Sequence, residues 1–210
     1  MNHGIIVLSI ICILLIIGSI ALVYAEHDYF SPYLKWKEVP IICLVDIPRE
    51  DLYYVIRATD SWKEASDHYT NTTNYTIKVT STGEMVECDG YLHFSKQFNP
   101  NPFTGVVPVG VTDCSSVTIK CSIKIDKSYP GGWYDTVVHE MGHFLGLGHR
   151  LSYQNEGIIA VFLSNDVMMP VAKPHVYISK ESLDALEFFK QQTTFINYTI
   201  PHDDDWQSLK

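Results

Sequence analysis

A single stretch of eleven residues, His139 to His149, has residue types and a spacing that suit metal chemistry, in the order H-E-x-x-H-x-x-G-x-x-H. On a helix, His139 and His143 are four residues apart, so both imidazoles project from one face and can bind one ion. Gly146 allows the helix to end, since glycine tolerates the left-handed conformation of a helix C-terminus, and His149 can then return as a third ligand. Three neutral nitrogen ligands with a fourth position open to water predict one catalytic Zn²⁺.

Glu140 directly follows the first histidine, which places its carboxylate beside the predicted ion rather than on it. A zinc-bound water has a lowered pKa, and a carboxylate in this position can accept its proton as the general base. The alternative is an ordinary amphipathic helix with surface histidines. That alternative requires three His, one Glu and one Gly to fall in register by accident, so the pattern favours a zinc hydrolase.

The eleven-residue pattern resembles that of the metzincin metalloproteases. Downstream of it, Asn165 to Pro170 reads N-D-V-M-M-P and resembles the Met-turn of that family, in which a methionine lies beneath the three histidines. The M-x-P order of the matrixin branch puts Met168 in that place, although two methionines can also simply fill a core. The resemblance implies a zinc endopeptidase that is matrixin-like.

The same resemblance implies where a substrate binds. Met169 and Pro170 would border the pocket for the residue after the scissile bond. The backbone near Val109 and Gly110, in an edge strand, would bind an extended peptide by adding it to the sheet. The implied fold is α+β and zincin-like. It comprises a twisted five-stranded mixed sheet with an antiparallel edge strand, an active-site helix and a C-terminal helix.

The elements that must position the motif can be predicted from the pattern of apolar residues. Val39 to Asp46 is a nearly continuous apolar run, typical of a strand buried on both faces. Pro108 cannot donate to a ladder, so the strand that contains it should lie at an edge. The remaining predicted elements are a helix over Asp51–Tyr69, strands over Tyr75–Thr80, Tyr91–Ser95, Val106–Val111 and Val117–Ile125, and a closing helix over Ile178–Gln191 that Ser179 can cap.

An apolar segment begins the chain. Ile5 to Tyr24 carries no charge and is long enough to cross a bilayer as a helix. An uncleaved signal anchor is favoured because no Lys or Arg precedes the run, but Ala25 leaves a cleaved, secreted form open. Either interpretation puts the rest outside the cytoplasm. The predicted organisation is an anchor or signal peptide (1–25), a juxtamembrane segment (26–38), a catalytic domain (39–192) and a polar acidic tail (193–210).

Four further cysteines lie beyond the apolar segment, and an even number in an exported domain predicts two disulfides. Three pairings are possible. The strand pattern suggests Cys114 with Cys121, which leaves Cys43 with Cys88. Three sequons, at Asn71, Asn74 and Asn197, are consistent with glycosylation.

Charge limits the class of partner. The formal net charge is −9, and the sequence has no basic cluster, so nucleic acid is excluded as an expected partner. Asp203 to Asp205 are a conceivable calcium site, but a solvated acidic tail is the simpler interpretation. The expected partners are a protein or peptide substrate and a membrane. The competing functions are a catalytically silent protein-binding module, which would have no need of Glu140, and a zinc hydrolase acting on a non-peptide substrate.

Overall fold

The structure is a computed structural model of the 210-residue chain. It describes residues 36, 38–69, 74–84, 87–96, 98, 100, 107–115, 120–129, 132–149, 165–169 and 175–191. Within these residues, five strands and three α-helices follow in the order β1 (Ile41–Val45), α1 (Arg49–Tyr69), β2 (Thr76–Thr80), β3 (Gly90–Phe94), β4 (Gly110–Ser115), β5 (Lys120–Ile125), α2 (Trp133–Phe144) and α3 (Lys180–Gln191), with one 3-10 turn at Thr82–Glu84.

The five strands form one mixed sheet in the order β2-β1-β3-β5-β4. Strands β1, β2, β3 and β5 are parallel, and β4 pairs antiparallel with β5 at one edge. The predicted α+β class and the five-stranded mixed sheet with an antiparallel edge strand are therefore confirmed. The parallel β1-α1-β2 connection follows from the continuous apolar run and the long amphipathic helix after it.

The edge strand starts later than predicted. It begins at Gly110, not at Val106, so Val107, Pro108 and Val109 precede the ladder. The valine-rich run suggested a strand, but Pro108 has no N–H for the ladder. The carbonyl of Val109 still accepts a hydrogen bond from the N–H of Asp126 at 2.8 Å. The paired segment is polar, as a strand with an exposed side can be.

The alternation of β1 separates two packed groups. Ile42 and Leu44 face the main core, which the three helices cover, whereas Cys43 and Val45 pack on the opposite side of the sheet with Cys88. Strand β1 is thus buried on both faces, as the continuous apolar run predicted. The main core takes Trp62 from α1, Met141 and Phe144 from α2 and Leu183 from α3 among its fully or nearly fully buried side chains.

Both predicted disulfides are present. Cys43 is joined to Cys88, and Cys114 is joined to Cys121, which lies directly opposite it in the antiparallel β4–β5 pair. The predicted cap of the closing helix is also present: Ser179 caps α3, since its Oγ accepts from the N–H of Ser182 at 3.1 Å.

Some predictions fall outside the described residues. These are the apolar segment Ile5–Tyr24, the sequons at Asn71 and Asn197, the residue Pro170 and the acidic tail with Asp203–Asp205. Among the helices that the structure does describe, none has both the length and the apolar character to cross a bilayer. Asn74, the remaining sequon asparagine, is exposed just before β2.

Candidate metal centre

The end of α2 brings the third histidine back toward the first two. Gly146 has a φ of 107°, the left-handed conformation that glycine adopts without strain. The N–H of Gly146 donates to the carbonyl of His143 at 2.9 Å, and the N–H of Leu147 donates to the carbonyl of Gly142 at 3.0 Å. This pair of bonds is a Schellman motif, which ends the helix and turns the chain back on itself. His149 lies three residues after Gly146, on the returning part of the chain.

Three imidazole nitrogens converge as a result. The Nε2 atom of His139 lies 3.1 Å from that of His143 and 3.2 Å from that of His149. Candidate ligand atoms of all three lie within 4.8 Å of one another. His143 and His149 are buried and His139 is partly buried. The three residues are the group of metal-ligating side chains that the described part of the chain brings together.

The other ring nitrogens are held by the backbone. Nδ1 of His139 lies 2.5 Å from the carbonyl oxygen of Val167, and Nδ1 of His143 lies 2.7 Å from that of Leu147. A carbonyl oxygen can only accept, so in each neutral ring the proton is on Nδ1. Nε2 then carries the lone pair that can bind a cation. Hydrogen bonds of this kind orient metal-binding histidines in proteins.

Burial also favours the neutral form of His139 and of His149. Desolvation lowers the pKa of His139 to about 3, and the neighbouring His143 acts in the same direction. Desolvation likewise holds the pKa of His149 well below its ordinary value, with His143 and His139 contributing. A metal ion requires unprotonated imidazole, so this burial favours the ligand form at neutral pH.

The geometry fits zinc. Two nitrogens that each lie about 2.0–2.1 Å from a tetrahedral ion are separated by roughly 3.3 Å. The observed separations of 3.1 and 3.2 Å between Nε2 atoms are close to that value. Without a cation, the lone pairs of His139 and His143 would face each other at 3.1 Å with no proton between them. The donor set of three neutral imidazoles is also one that zinc accepts readily.

Glu140 is buried on the same helix, between α2 and the edge strand. Its Oε2 lies 2.6 Å from Oγ1 of Thr112 on β4. Its other oxygen lies against Gly110, where a Cβ atom would approach Oε1 to 2.6 Å. The carboxylate therefore has one oxygen bound by a hydroxyl and the other packed on backbone. A carboxylate next to a metal site can exchange protons with a water there.

The turn that contains Met168 packs beneath the histidine helix. Met168 is fully buried, and its sulfur atom lies where a side chain at Gly142 would project. Asp166 fixes this turn, because its Oδ1 accepts from the N–H of Met168 at 2.7 Å and its Oδ2 lies 3.2 Å from Oγ of Ser182 on α3. Sequence analysis did not single out Asp166 or Thr112. Both act through contacts between distant segments, which local spacing does not reveal.

The structure describes three of the four predicted substrate-binding residues. Gly110 opens β4 and packs on Glu140, and Val109 precedes it, half-buried. Met169 is almost fully buried beside Met168, and Pro170 is outside the described residues. No contact of a substrate can be inferred from burial alone, so the role of these four residues stays a prediction.

The chain is similar to known proteins in its architecture only. No protein-family model and no curated protein matches it. Among solved structures, metalloproteinase-II from Bacteroides fragilis matches with 12% identity and a TM-score of 0.45, over 79% of this chain and 59% of that protein. Archaemetzincin from Methanopyrus kandleri matches with 16% identity and a TM-score of 0.43, over 74% of this chain and 97% of that protein. Both TM-scores lie below 0.5, and neither likeness carries a conclusion about function.

Proposed function

We propose that this chain is a zinc-dependent endopeptidase of the metzincin type, matrixin-like, which hydrolyses peptide bonds of extracytoplasmic proteins. The observation that carries the proposal is the convergence of the three histidines, with Nε2 atoms 3.1 and 3.2 Å apart, and the helix that supplies two of them also carries the buried carboxylate of Glu140, bound by Thr112. His139, His143 and His149 would hold one Zn²⁺ through these atoms. A second zinc or a calcium ion is not part of the proposal.

Zinc held by these residues would lower the pKa of a water molecule and polarise a carbonyl oxygen. The role of Glu140 would be to accept a proton from the attacking water as the water adds to the peptide carbonyl carbon. The same carboxyl group delivers the proton to the departing amine as the C–N bond breaks. The proton count balances, since one water is consumed and a carboxyl and an amine are formed.

The edge strand is the natural place for the substrate. Among the strands that the structure describes, β4 pairs only with β5, and it lies beside α2. An extended peptide can pair with the open side of such a strand through main-chain hydrogen bonds. Val109 and Gly110 would contribute that backbone near Glu140, and Met169 and Pro170 would border the pocket after the scissile bond. The M-x-P order at Met168 supports the matrixin-like subtype.

The two disulfides support an extracytoplasmic location, because such bonds persist in oxidising compartments. The apolar segment Ile5–Tyr24 supplies the membrane anchor in this proposal. Cleavage after Ala25 would give a secreted form instead. Fractionation of cells that express the full chain separates these outcomes: the anchored form stays with membranes after a high-salt wash, and the secreted form is recovered from the medium.

A protein-binding module on the same fold is the competing function. Such a module has no use for a buried carboxylate bound to a threonine hydroxyl at the metal centre. The orientation of Glu140 by Thr112 therefore favours catalysis. Hydrogen bonds offset only part of the cost of burying a carboxylate, so folding alone does not favour a glutamate at this position.

The experiment uses the purified full-length chain. Zinc per chain is measured after dialysis, and cleavage is assayed on a mixed peptide library. Wild type should hold one zinc and cleave; His143→Ala should hold less than a tenth of that zinc. His93→Ala is the matched control, since His93 lies on β3 away from the three histidines and should change neither zinc content nor cleavage. A wild-type protein without zinc, or one that cleaves nothing when zinc is bound, would overturn the proposal.

A further inference from the structure

Thr112 bears directly on the carboxylate that the proposed reaction uses. We propose that Thr112 is a positioning residue, which holds the Glu140 carboxylate in its working orientation through its hydroxyl; this inference rests on the proposed function. Oγ1 of Thr112 lies 2.6 Å from Oε2 of Glu140 and 3.1 Å from the main-chain oxygen of the same residue. These hydrogen bonds join β4, the strand proposed to bind the substrate, to the proposed general base Glu140.

The direction of the hydrogen bond follows from chemistry. An ionised carboxylate only accepts, and a hydroxyl has one proton to donate. The shorter contact of Thr112, to Oε2, is in the range of an O–H···O⁻ bond of 2.5–2.7 Å. The longer contact to the carbonyl is the weaker alternative. The hydroxyl therefore donates to the carboxylate, and this bond holds the carboxylate in one orientation.

Gly110 completes the arrangement from the same strand. Residues two apart on a strand project from the same face, so Gly110 and Thr112 both face α2. A Cβ at position 110 would lie 2.6 Å from Oε1 and 2.9 Å from Cγ of Glu140. One oxygen of Glu140 is thus bound by Thr112, and the other is confined by the backbone at Gly110.

This confinement matters because a glutamate side chain has several rotamers. A catalytic group must be held within about 0.5 Å of its productive geometry. The same strand would bind the substrate backbone, so β4 sets the relative placement of the base and the peptide. Loss of the Thr112 hydroxyl should then act on the chemical step more than on substrate binding.

The test compares three variants in the full-length protein loaded with zinc. Thr112→Val removes the hydroxyl and keeps the branched shape, Thr112→Ser keeps the hydroxyl and removes the methyl group, and Thr112→Ala removes both. Thr76→Val is the matched control, on the far edge strand β2. For each variant, kcat, KM and zinc per chain are measured, and the melting temperature reports on folding.

We expect kcat to fall about tenfold or more in Thr112→Val and Thr112→Ala, as for a lost hydrogen bond to a charged group, with KM changed less than threefold. Thr112→Ser should restore kcat to within about threefold of wild type. Crystal structures of the same variants give a readout that does not depend on turnover: the Glu140 carboxylate should stay against residue 112 with Thr or Ser and leave it with Val.

The outcomes separate cleanly. If Thr112→Val turns over like wild type, or if Thr112→Ser loses as much kcat as Thr112→Ala, the positioning role is wrong although the peptidase proposal stands. If Thr112→Val fails to fold, the comparison of Ser with Ala decides in the same way. If wild type and every variant cleave nothing with zinc bound, the peptidase proposal and this inference both fall.

Discussion

Nδ1 of His139 lies 2.5 Å from the main-chain oxygen of Val167, so the helix that carries the histidines and the turn that carries Met168 are joined by a hydrogen bond. Because the two residues are 28 positions apart, the turn orients the ring of a metal ligand from a separate segment. Asp166, one residue before Val167, stabilises this turn by accepting a hydrogen bond from the N–H of Met168. A metal site of this design depends on the turn as well as on the ligands.

Asp166→Ala should therefore lower zinc affinity. The change removes the acceptor for the buried N–H of Met168 and the contacts with Ser182, so the turn relaxes and His139 loses its oriented partner. Partners of this kind are typically worth 10–100-fold in metal affinity. Competition with a chromogenic chelator measures the affinity. Asp184→Ala on the exposed side of α3 is the control; equal affinity in both variants would contradict this role.

Gly110→Ala should reduce turnover by about tenfold or more. The added Cβ would meet Oε1 of Glu140 and Cγ2 of Thr136, each at 2.6 Å, so the carboxylate has to move. Gly83→Ala is a matched control, because nothing lies within 4 Å of a Cβ there. Turnover is compared at saturating zinc and peptide. Gly110→Ala and Gly83→Ala with the same kcat would show that the contact with Glu140 does not matter.

Removing one disulfide should mainly lower the free energy of unfolding, and removing the other should mainly lower kcat. The Cys43–Cys88 bond closes 45 positions and the Cys114–Cys121 bond closes 7, so chain entropy assigns them about 4 and about 2.5 kcal/mol. Replacing both cysteines of the first pair by Ala should cost more in urea unfolding. Replacing the second pair should cost more in kcat, since it fixes β4 two residues from Thr112. The reverse order in both measurements would contradict the assignment.

Tyr75 should make folding sensitive to alkaline pH. Burial raises the pKa of the Tyr75 phenol far above its ordinary value, with Asp60 adding to the effect, and its hydroxyl donates to the carbonyl of Thr59. In the unfolded chain the Tyr75 phenol ionises near pH 10, but in the folded chain it stays protonated at that pH. The free energy of unfolding is therefore constant with respect to this group below pH 10 and falls above it. Between pH 8 and 11 the loss is about 1.4 kcal/mol.

Urea unfolding at the two pH values tests this, with Tyr75→Phe as the comparison. The phenylalanine variant is less stable at pH 8, because it lacks the hydrogen bond to Thr59. Its stability should fall less between pH 8 and 11 than that of wild type. Parallel losses in the two proteins would show that Tyr75 is not the responsible group.

Local spacing was sufficient for part of the site. The four-residue interval between His139 and His143 and the left-handed turn at Gly146 depend on one helix and its end, so the sequence alone predicts them. The partners of these residues do not follow from spacing. Thr112 is 28 positions from Glu140, and Asp166 is 16 positions from Ser182, and only the packing of distant elements joins them.

The sheet shows a similar division. The buried strand β1 was predicted from its continuous apolar run, and the amphipathic helix α1 was predicted from the helical spacing of its apolar residues. The five-stranded mixed sheet with an antiparallel edge strand was implied by the family resemblance and not by any periodicity in the chain, and the order of its strands was not predicted. The start of β4 was misplaced because the apolar residues around Val107 lie outside the ladder, whereas the polar segment through Cys114 forms it. Cys114 and Cys121 lie opposite each other in that register, which agrees with the disulfide that the strand pattern suggested.

The central claim is that Glu140 acts as the base beside a zinc ion held by three histidines. The most direct measurement is the rate of peptide cleavage by Glu140→Gln relative to wild type, with both proteins shown to hold one zinc per chain. The amide keeps the size of the side chain but has no proton-accepting carboxylate. We predict equal zinc content and a rate at least about 100-fold lower. Equal cleavage rates at equal zinc content would contradict the account.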